Sequence, residues 1–414
     1  MLLLFDTLGE ILRTLWAHKL RSFLTMFGIA WGVGSLLLLV GLGEGFRSGN
    51  KRSFDEIGQD VMFVFPGRTP TVRGSQQSGR WYRLTYSDYL DLKKAPHIRA
   101  ASPVLQREDI RSVSEYSSGN GMVMGVEPQL NGIRYLPIKQ GRWLNVMDEA
   151  ERRNVVVIGP EIVRTLFPGR PVVGSTILLN GHRFEVIGYL ATVGRGDNIS
   201  ENSRLYIPYS TMTLYFPWRW GHDRNALSYI NYQPRIRAEH EIAHAETRQI
   251  IARNHGFDPN DDDSFEEWDS VKSAEMVAKI FDAMDMFLGF VGLVTLTLGA
   301  IGVINIMLIS VTERTREIGL RKAVGATYRS ILFHFFLEGA LLTLVSGTIG
   351  ILAASGLTYL LRGMPSPTGF DPPRIVPASA AVALFSLSAA GIISGLYPAR
   401  RAATLQPVEA LRHE

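Results

Sequence analysis

The sequence contains no cysteine among its 414 residues. Disulfide bridges, iron–sulfur clusters, cysteine-ligated zinc sites and a cysteine nucleophile are therefore excluded. This absence suits a domain that folds outside the cytoplasm without an oxidant. The sequence also lacks a large excess of either charge, because Lys and Arg exceed Asp and Glu by only four. Nucleic-acid-binding domains concentrate basic charge, so we predict no nucleic-acid partner.

Long uncharged runs, in contrast, are abundant. A helix of about 20 apolar residues crosses a bilayer core, and four stretches of this kind predict a membrane protein with four transmembrane α-helices. One such run alone would also fit a buried core helix, but four of them do not. The fourth is the weakest, being rich in Ala and Ser with Pro377 near its start. The predicted spans are residues 22–43, 286–312, 331–361 and 375–397.

Basic residues in the short segments predict the orientation, because they stay on the cytoplasmic side. Eleven lie in residues 1–21, 313–330 and 398–414 together, whereas residues 362–374 contain two. We therefore predict that both termini and the 313–330 loop are cytoplasmic. Residues 362–374 then form a short external loop, and residues 44–285 form a large extracytoplasmic domain inserted between the first and second helices.

The large insert mixes strand and helix signals and predicts an α+β domain. Asn180-Gly181, between two runs rich in β-branched and aromatic residues, predicts a tight hairpin. Glycine, serine and arginine dominate residues 66–80, which predicts an exposed loop. The predicted strands are 61–65, 154–159, 176–190 and 226–232, and the predicted helices are 87–94 and 160–167.

Both ends of the insert predict helical stalks that continue the membrane spans. Ser264 and Glu267 have the spacing of a capping box, which predicts the start of the second stalk. Residues 44–57 predict a matching stalk after the first span. Apolar residues recur at helical spacing before the second span and predict one buried face. They are Val277, Ile280, Phe281, Met284 and Phe287.

Glycines spaced by four residues predict close packing of helices inside the membrane. Gly28 and Gly32 form one such pair in the first predicted span, and Gly391 and Gly395 form another in the fourth. Asn305 is the notable polar residue of the second span. We predict a hydrogen bond from it to a neighbouring helix, rather than a contact with substrate.

The loop after the second predicted span has an alternating charge pattern, ISVTERTREIGLRKAVGATYRS (309–330). An apolar set, Ile318, Leu320, Ala323 and Val324, accompanies the charges. A short amphipathic helix at the membrane surface would have this pattern. A helix that docks into a groove of a soluble partner and a solvated connector also fit.

The segment TERTREIGLRKAVGA resembles the signature of FtsX-like ABC transporter permeases, most closely those of the macrolide-exporter (MacB) type. Three further segments are similar to that family. LRSFLTMFGIAWGVGSLLLLVGLGEG (20–45) resembles its first span, IGQDVMFVFPG (57–67) the opening of its periplasmic domain, and YPARRAATLQPVEALRHE (397–414) its C-terminal tail. The resemblance therefore reaches both ends of the chain.

The resemblance implies a permease subunit of the bacterial inner membrane that pairs as a homodimer and is not itself an enzyme. Cytoplasmic ABC ATPase subunits, which bind ATP and Mg, would move the periplasmic domain through the spans, a mechanism called mechanotransmission. The amphipathic N-terminal segment would lie along the inner membrane surface. The residues that match the family's coupling motif are Glu313, Arg314, Arg316, Glu317, Gly319, Arg321, Ala323, Gly325 and Ala326.

The resemblance leaves the cargo open. The size of the external domain and the match at 57–67 favour export of a drug, peptide or similar compound with a periplasmic adaptor and an outer-membrane channel. Lipoprotein release and activation of a peptidoglycan hydrolase are alternatives. Unlike the full-length exporter, this sequence has no G-x-x-x-x-G-K-[ST] phosphate loop. We therefore expect a separate ATPase subunit and no cofactor on this chain.

One motif points to another class of protein. HEIAH matches the H-E-x-x-H pattern of zinc metalloproteases, in which His240 and His244 would bind zinc and Glu241 would act as general base. A third ligand is required, and Glu266 and Glu267 have a tolerable spacing for it. Because we predict that these two acids open the stalk helix instead, a membrane-anchored metalloprotease is the alternative and not the main hypothesis.

Two other acidic groups suggest sites. Asp258, Asn260 and Asp262 have calcium-loop spacing, but Asp263 stands where the sharp turn requires glycine. We therefore predict a surface loop that leads into a capped helix, and no metal site. Glu338, near His334, lies in an apolar run. The helix 331–361 would be about 46 Å long, longer than the bilayer core, so we predict that Glu338 lies near the cytoplasmic interface and the coupling loop.

Overall fold

A computed structural model describes residues 19–69, 79–194, 200–218, 226–364, 370–375, 377–404 and 406. Most of the predicted N-terminal segment, the middle of the predicted exposed loop and most of the predicted tail lie outside these residues. The chain divides into two compact units. The helical unit comprises Met1–Asn50 and Ala278–Glu414, and the sheet unit comprises Lys51–Val277.

The described residues form eleven α-helices and twelve strands. The helices are α1 Lys19–Ile57, α2 Tyr86–Lys94, α3 Leu130–Ile133, α4 Val146–Ala150, α5 Pro160–Leu166, α6 Tyr209–Tyr215, α7 His240–His255, α8 Ser270–Glu313, α9 Thr315–Ala323, α10 Tyr328–Arg362 and α11 Pro377–Thr404. The strands are β1 Met62–Phe65, β2 Ile98–Arg107, β3 Arg111–Val113, β4 Ser118–Asn120, β5 Met122–Val126, β6 Ile138–Gly141, β7 Val155–Ile158, β8 Thr176–Leu179, β9 His182–Leu190, β10 Arg204–Pro208, β11 Tyr229–Pro234 and β12 Glu266–Asp269.

Three helices in the described part of the chain are long and apolar enough to cross a membrane: Met26–Ile57 within α1, α8 and α10. The 44 residues of α8 extend about 66 Å, roughly twice the bilayer core. Helix α1 continues without a break through the predicted first span and the predicted stalk at 44–57. The predicted fourth span corresponds to α11, which is helical, and its crossing of the membrane stays a prediction.

Small residues allow α10 and α11 to lie close together. A Cβ added to Gly339 in α10 would lie 3.1 Å from the Cα of Gly395 in α11. A Cβ added to Gly391 would lie 3.0 Å from the side chain of Thr343. Both glycines predicted in the fourth span therefore contact a neighbouring helix through backbone or near-backbone atoms, as close packing in a membrane requires.

Helix α1 also packs through small residues, but not through all of those predicted. A Cβ added to Gly32 would lie 3.7 Å from atoms of Thr295 in α8. A Cβ added to Gly28 would meet no atom within 4 Å, so its predicted packing contact is absent within the described chain. A closer approach of α1 lies elsewhere: a Cβ added to Gly350 in α10 would lie 2.5 Å from the carbonyl oxygen of Ala30.

One prediction about α8 is not met within a single chain, and another is wrong. Asn305 is exposed, and among the described residues no hydrogen bond joins its side chain to a neighbouring helix. The apolar set predicted for one buried face is divided: Phe281 is 2% exposed, whereas Ile280 and Phe287 are 58% and 64% exposed. The reason is that neighbouring helices cover only a narrow stripe of α8. Its buried members are Phe281, Leu288, Leu296, Val303, Met307 and Val311.

One mixed sheet organises the sheet unit. Its strand order is β12-β1-β11-β2-β5-β10-β7-β9-β8-β3-β4, and β6 pairs with β9. The pairs β5–β10 and β7–β9 are parallel, and the other pairs are antiparallel. Together with the short helices between its strands, this sheet forms a large α/β domain at the place where the sequence predicts an α+β domain.

Apolar residues lie on both faces of this sheet. In β1, Met62 and Val64 belong to one core and Phe63 belongs to the other. All four residues of β7, VVVI, are buried, because a strand covered on both faces is apolar throughout. Helices α2, α5, α6 and α7 cover the first face, through Tyr89, Leu92, Ile162, Leu166, Tyr209, Met212, Ala243 and Ile251.

The predicted hairpin is present between β8 and β9. Its two central residues, Asn180 and Gly181, have φ angles of 44° and 89°, which is the type I′ geometry that Asn-Gly favours. The side-chain oxygen of Asn180 also accepts a hydrogen bond of 2.9 Å from the backbone amide of Arg111. The turn therefore fixes the β8–β9 register and connects the hairpin to β3.

The predicted start of the second stalk is wrong. Ser264 ends a short 3₁₀ turn, and Glu267 lies in β12, opposite Val64 of β1. Helix α8 begins six residues after Ser264. There the carboxylate of Asp269 accepts hydrogen bonds from the backbone amides of Val271 and Lys272, as an N-cap does. Strand pairing with β1 thus overrides the local capping pattern.

Asp88 of α2 is the centre of a buried hydrogen-bond network in the sheet unit. Its carboxylate accepts hydrogen bonds from His255 (2.9 Å), Asn254 (2.8 Å) and the backbone amide of Thr85 (2.7 Å). Burial by itself would raise the pKa of Asp88, but these donors outweigh burial and hold the pKa below its usual value. The charged carboxylate therefore stabilises the folded domain.

We expect Asp88→Asn to lower the free energy of unfolding at pH 7 by about 2 kcal/mol, because it removes charged hydrogen bonds. A depressed folded-state pKa contributes stability above the unfolded pKa of about 3.9. That contribution is lost as the pH falls through the folded pKa. Thermal unfolding at several pH values measures the difference between wild type and variant. An unchanged difference between pH 7 and pH 3 would contradict this role.

Candidate coupling site

The segment with the alternating charge pattern forms a short helix, α9, between α8 and α10. Helix α8 ends at Glu313, and Arg314 leaves helical geometry before α9 begins. The hydroxyl of Thr315 donates to the carbonyl of Val311 at 3.0 Å. The backbone amide of Ile318 donates to the carbonyl of Arg314 at 3.0 Å. The predicted short helix is thus present, and a tight bend joins it to α8.

A glycine ends α9. Gly325 has a φ angle of +104°, which side chains rarely adopt and which glycine adopts without strain. Around it, the backbone amides of Val324 and Ala326 donate to the carbonyls of Leu320 (3.0 Å) and Arg321 (2.9 Å). This geometry satisfies the last carbonyls of the helix. The chain then turns directly into α10.

One side of α9 is fixed to the other helices of the helical unit. Ile318 and Gly319 are buried, and Ile318 belongs to the apolar core of that unit. The ammonium group of Lys322 donates to the backbone carbonyl of Ala403 in α11 at 2.5 Å. Lys322 lies outside the predicted coupling set. Nothing in the sequence distinguishes it from the neighbouring Arg321, so its contact with α11 was not predictable.

A buried ion pair connects the start of α9 to α10. The Nη1 atom of Arg314 lies 3.6 Å from the Oε2 atom of Glu338. The Glu338 side chain is 3% exposed and that of Arg314 is 24% exposed. No hydrogen-bond donor reaches Glu338 Oε2 in the described chain, so the charge of Arg314 is its main compensation. The sequence predicts that Glu338 lies near the coupling loop, and the structure adds its partner.

The opposite side of α9 is exposed and carries both charge and apolar surface. Leu320 is 58% exposed and Val324 is 83% exposed. Glu317 and Arg321 form a salt bridge of 2.7 Å one turn apart. Arg316 is exposed and has no carboxylate partner among the described residues. We call these five residues the exposed face of α9. It presents an unpaired cation beside two uncovered apolar side chains.

The structure divides the predicted coupling residues into three groups. Arg314 and Gly319 lie on the fixed side, and Arg316, Glu317 and Arg321 lie on the exposed face. The remaining members shape the ends of α9: Glu313, Ala323, Gly325 and Ala326. The predicted apolar face is wrong as a single surface. Ile318 is buried, whereas Leu320, Ala323 and Val324 are exposed, because in the described chain only one side of α9 meets other helices.

The HEIAH pattern lies at the start of α7, and each histidine pairs with a different carboxylate. His240 Nδ1 lies 2.8 Å from Asp269 Oδ2, and His244 Nε2 lies 2.7 Å from Glu267 Oε2. Arg248 also donates to Glu267 at 2.8 Å. The part of the chain that the structure describes brings together no group of three or more metal-ligating side chains. The pairs instead fix α7 to β12 and to the start of α8.

The calcium-like stretch leads into a strand instead of the predicted capped helix. The side chain of Asp258 accepts hydrogen bonds from the backbone and side-chain amides of Asn260. Asp261 caps the following 3₁₀ turn. These carboxylates therefore satisfy local donors, as in ordinary acidic turns.

Comparison with known proteins decides the family. The MacB-like periplasmic core domain matches residues 22–250, more than half of the chain, and the FtsX-like permease C-terminal domain matches residues 289–407. The chain belongs to the MacB- and FtsX-like ABC transporter permeases. The resemblance found in the coupling segment is thereby confirmed. In this permease the match to the periplasmic core precedes the match to the permease domain.

Curated relatives cover nearly all of this permease. "Uncharacterized ABC transporter permease YknZ" of Bacillus subtilis is 30% identical over 99% of this chain and 100% of the relative. "Macrolide export ATP-binding/permease protein MacB" of Chlorobium luteolum is 33% identical over 98% of this chain. This chain covers 60% of that relative, so it spans about three fifths of the macrolide-export protein's length.

A solved structure is also similar. The periplasmic region of MacB from Actinobacillus actinomycetemcomitans matches 54% of this chain and 95% of its own length, at 22% identity and a TM-score of 0.43. The extracellular domain of the transporter YknZ from Gram-positive bacteria matches 50% of this chain, at 15% identity and a TM-score of 0.40.

Proposed function

We propose that this chain is a transporter subunit that receives the movement of a separate ABC ATPase through the exposed face of α9. The observation that carries the proposal is the two-sided character of α9. Within the described part of the chain, one side is fixed to α10 and α11, and the other leaves Leu320, Val324 and an unpaired Arg316 uncovered. Uncovered apolar residues rimmed by charge are typical of a docking surface. Membership of the ABC permeases supplies the class of partner.

The fixed side of α9 suggests how movement would pass onward. The partner ATPase would bind ATP and Mg, and its closure would displace α9. Lys322 connects α9 to α11, and Arg314 connects it to α10. A displacement would therefore move those helices as packed elements, and would not be absorbed by a loose loop. This is the mechanotransmission that the family resemblance implies.

We place α9 on the cytoplasmic side of a bacterial inner membrane and the sheet unit on the outer side. The distribution of basic residues in the short segments supports this orientation, as does the MacB-like periplasmic core. Relatives named as macrolide exporters support export of a drug, peptide or similar compound. A periplasmic adaptor and an outer-membrane channel belong to the same proposal.

Co-purification tests the ATPase partner. The tagged chain is isolated from its own cells in mild detergent, and an ATPase with a phosphate loop should be retained. The charge exchange Arg316→Glu with Glu317→Arg should lower retention at least about tenfold, because opposed charges become like charges across the contact. The new Arg–Arg pair one turn apart costs α9 only a few tenths of a kcal/mol, so the helix should persist.

The matched control exchanges a different exposed pair. Arg253 and Asp91 lie 3.8 Å apart on the sheet unit, with side chains 70% and 38% exposed. Arg253→Glu with Asp91→Arg changes the same number of charges far from α9 in the sequence, and retention should equal that of the wild type. Normal retention in the α9 exchange, or equal losses in both exchanges, would contradict the coupling role.

A homodimer is part of the proposal, and Asn305 of α8 supports it. This amide is exposed on an apolar helix, where lipid offers it no hydrogen-bond partner. The exposed residues Val294, Leu298, Ile301, Asn305 and Ile309 recur at the spacing of a helix–helix seam. A second copy of α8 packed on this seam would provide the amide partner.

We expect Asn305→Leu to weaken dimerisation about threefold, since a hydrogen bond between membrane helices contributes about 0.6 kcal/mol. Energy transfer between labelled copies, measured during dilution with lipid, gives the dissociation constant. Thr297→Val is the control, because the exposed Thr297 hydroxyl already donates to the Leu293 carbonyl of its own helix at 2.7 Å. Equal dimerisation in Asn305→Leu and the wild type would exclude this contact.

A further inference from the structure

A cleft of about 810 Å³ opens at one edge of the central sheet, within the sheet unit. Strands β1 and β2 end there and β11 begins there, which brings Phe65, Arg107 and Tyr229 to the same edge. The volume is that of a pocket for a drug-sized molecule. None of the coupling residues contributes to it. We call it the aromatic cleft.

Five aromatic residues line it: Phe65, Trp81, Tyr82, Trp218 and Tyr229. Phe65 and Tyr229 lie side by side, with ring centroids 5.5 Å apart. Trp218 lines the cleft under the guanidinium of Arg83, whose Cζ lies 5.5 Å from the ring centroid. Trp81 is 70% exposed, although burial of an indole is strongly favourable. An open cavity lined with large aromatic surfaces suits an apolar ligand.

The charges of the cleft balance each other. Its lining includes two arginines and two acids: Arg83, Arg107, Glu108 and Asp109. Arg107 donates to both carboxylate oxygens of Asp109, at 2.7 and 2.5 Å, and to the carbonyl of Pro217 at 2.7 Å. A guanidinium engaged in this way has little capacity left for an anionic ligand. The lining therefore selects neither an anion nor a cation.

We infer that the aromatic cleft binds a neutral or zwitterionic, drug-sized organic molecule with an aromatic or alicyclic apolar body. The ring walls supply the contact area, and the balanced charges disfavour ligands with net charge. That this ligand is the transported cargo rests on the proposed function. Binding itself does not, because it needs neither the ATPase nor ATP.

Photolabelling of the full chain in lipid nanodiscs tests the inference. Benzophenone, a neutral aromatic ketone, is irradiated with the protein over a concentration series, and labelled peptides are mapped by mass spectrometry. Peptides that contain residues 79–84, 106–109 and 226–229 should be labelled saturably. Labelling of α8 and α10 by probe dissolved in lipid provides an unsaturable reference. Labelling of the cleft peptides that never saturates would overturn the inference.

Two variants make the assignment specific. Trp81→Ala removes an exposed wall and should raise the half-saturating concentration about tenfold, since an aromatic contact contributes about that factor. Asp109→Ala frees the charge of Arg107, and labelling by the anion 4-benzoylbenzoate should then rise about fivefold. Because the expected result is an increase in labelling, partial unfolding of the variant would not imitate it. Tyr116→Ala, another exposed aromatic of the sheet unit outside the cleft, should change neither result.

The outcomes separate the two proposals. Equal labelling by the neutral and anionic probes in the wild type, or no effect of Trp81→Ala, would overturn the ligand assignment. Neither result would affect retention of an ATPase by α9. Conversely, if no ATPase co-purified, the proposed transport function would fail. Saturable labelling of the aromatic cleft would still show that the cleft binds the ligand.

Discussion

Replacing Gly350 by leucine should disrupt the packing of α1 against α10. A Cβ at this position would lie 2.5 Å from the carbonyl oxygen of Ala30, and 3.1 Å from its Cα and carbonyl carbon. The obstacle is backbone, so no side-chain rotation relieves it, and the two helices must separate. On the other side of this contact, in α1, a Cβ at Gly34 would lie 3.2 Å from the carbonyl oxygen of Gly350. We expect Gly350→Leu to cost about 3 kcal/mol of stability, the upper end of the usual cost of overpacking.

The same helix offers a matched control. A Cβ added to Gly356 would meet no atom within 4 Å in the described structure, and Gly356 lies in α10 six residues after Gly350. Gly356→Leu should be neutral or slightly stabilising, because leucine has the higher helix propensity. Heating in detergent followed by size-exclusion chromatography measures the loss of folded protein. Equal thermal stability of both variants would mean that α1 does not pack on α10 at this site.

Removal of Glu338 is expected to have the second large effect. Glu338→Ala leaves Arg314 without its partner, and loss of one member of a buried ion pair costs about 3–5 kcal/mol. We expect the low end of that range, because Arg314 keeps 24% of its side chain exposed. The start of α9 should loosen, and stimulation of the partner ATPase should fall with it. Thermal unfolding and ATPase assays of the assembled transporter measure the two effects.

An apolar exchange separates stability from coupling. The double variant Arg314→Met with Glu338→Leu removes both charges, and such replacements are often neutral or stabilising. Thermal stability should therefore recover. Coupling should recover too if apolar packing alone connects α9 to α10, and should stay impaired if the ion pair positions α9. Full stability and full ATPase stimulation in Glu338→Ala would contradict both roles.

The exposed pair on the same helix provides a stability control. Glu317 and Arg321 are 54% and 43% exposed, and exposed ion pairs contribute about 0–1 kcal/mol. Glu317→Ala should therefore leave the unfolding temperature almost unchanged. The two ion pairs should contribute differently to stability, because solvent and salt screen the charges strongly at the surface of α9 and weakly beside Glu338.

Several features were predictable because neighbours in the sequence decide them. Uncharged runs predicted the long helices α1, α8 and α10, since apolar length alone suits them to a membrane. Asn180-Gly181 predicted a hairpin because both residues tolerate positive φ. The alternating charges after Glu313 fitted a short helix as well as a solvated connector, and the structure contains the helix. Each of these signals extends over one segment and needs no distant partner.

Other features depend on residues far apart in the chain. Strand β2 carries Pro103 opposite Ile230 of β11, and the ladder between β2 and β5 begins at Val104. The register of these distant strands decides that the proline lies outside the β2–β5 ladder, where its missing amide costs least. Ser264 and Glu267 have capping-box spacing, but pairing with β1 draws Glu267 into β12. There the pairing of whole strands outweighs a local preference of about 1 kcal/mol.

The sequence by itself determined the family, the long apolar helices and the position of the charged segment that forms α9, because composition and short motifs carry these signals. Only the tertiary structure decided which glycines touch another helix, Gly350 but not Gly28, and which charge compensates Glu338. It also decided that Phe65, Trp81, Trp218 and Tyr229 share one cleft. The physical reason is the same in each case. Contact, burial and charge pairing arise between segments that the fold brings together. The periodicity of one segment does not show which other segment will pack against it.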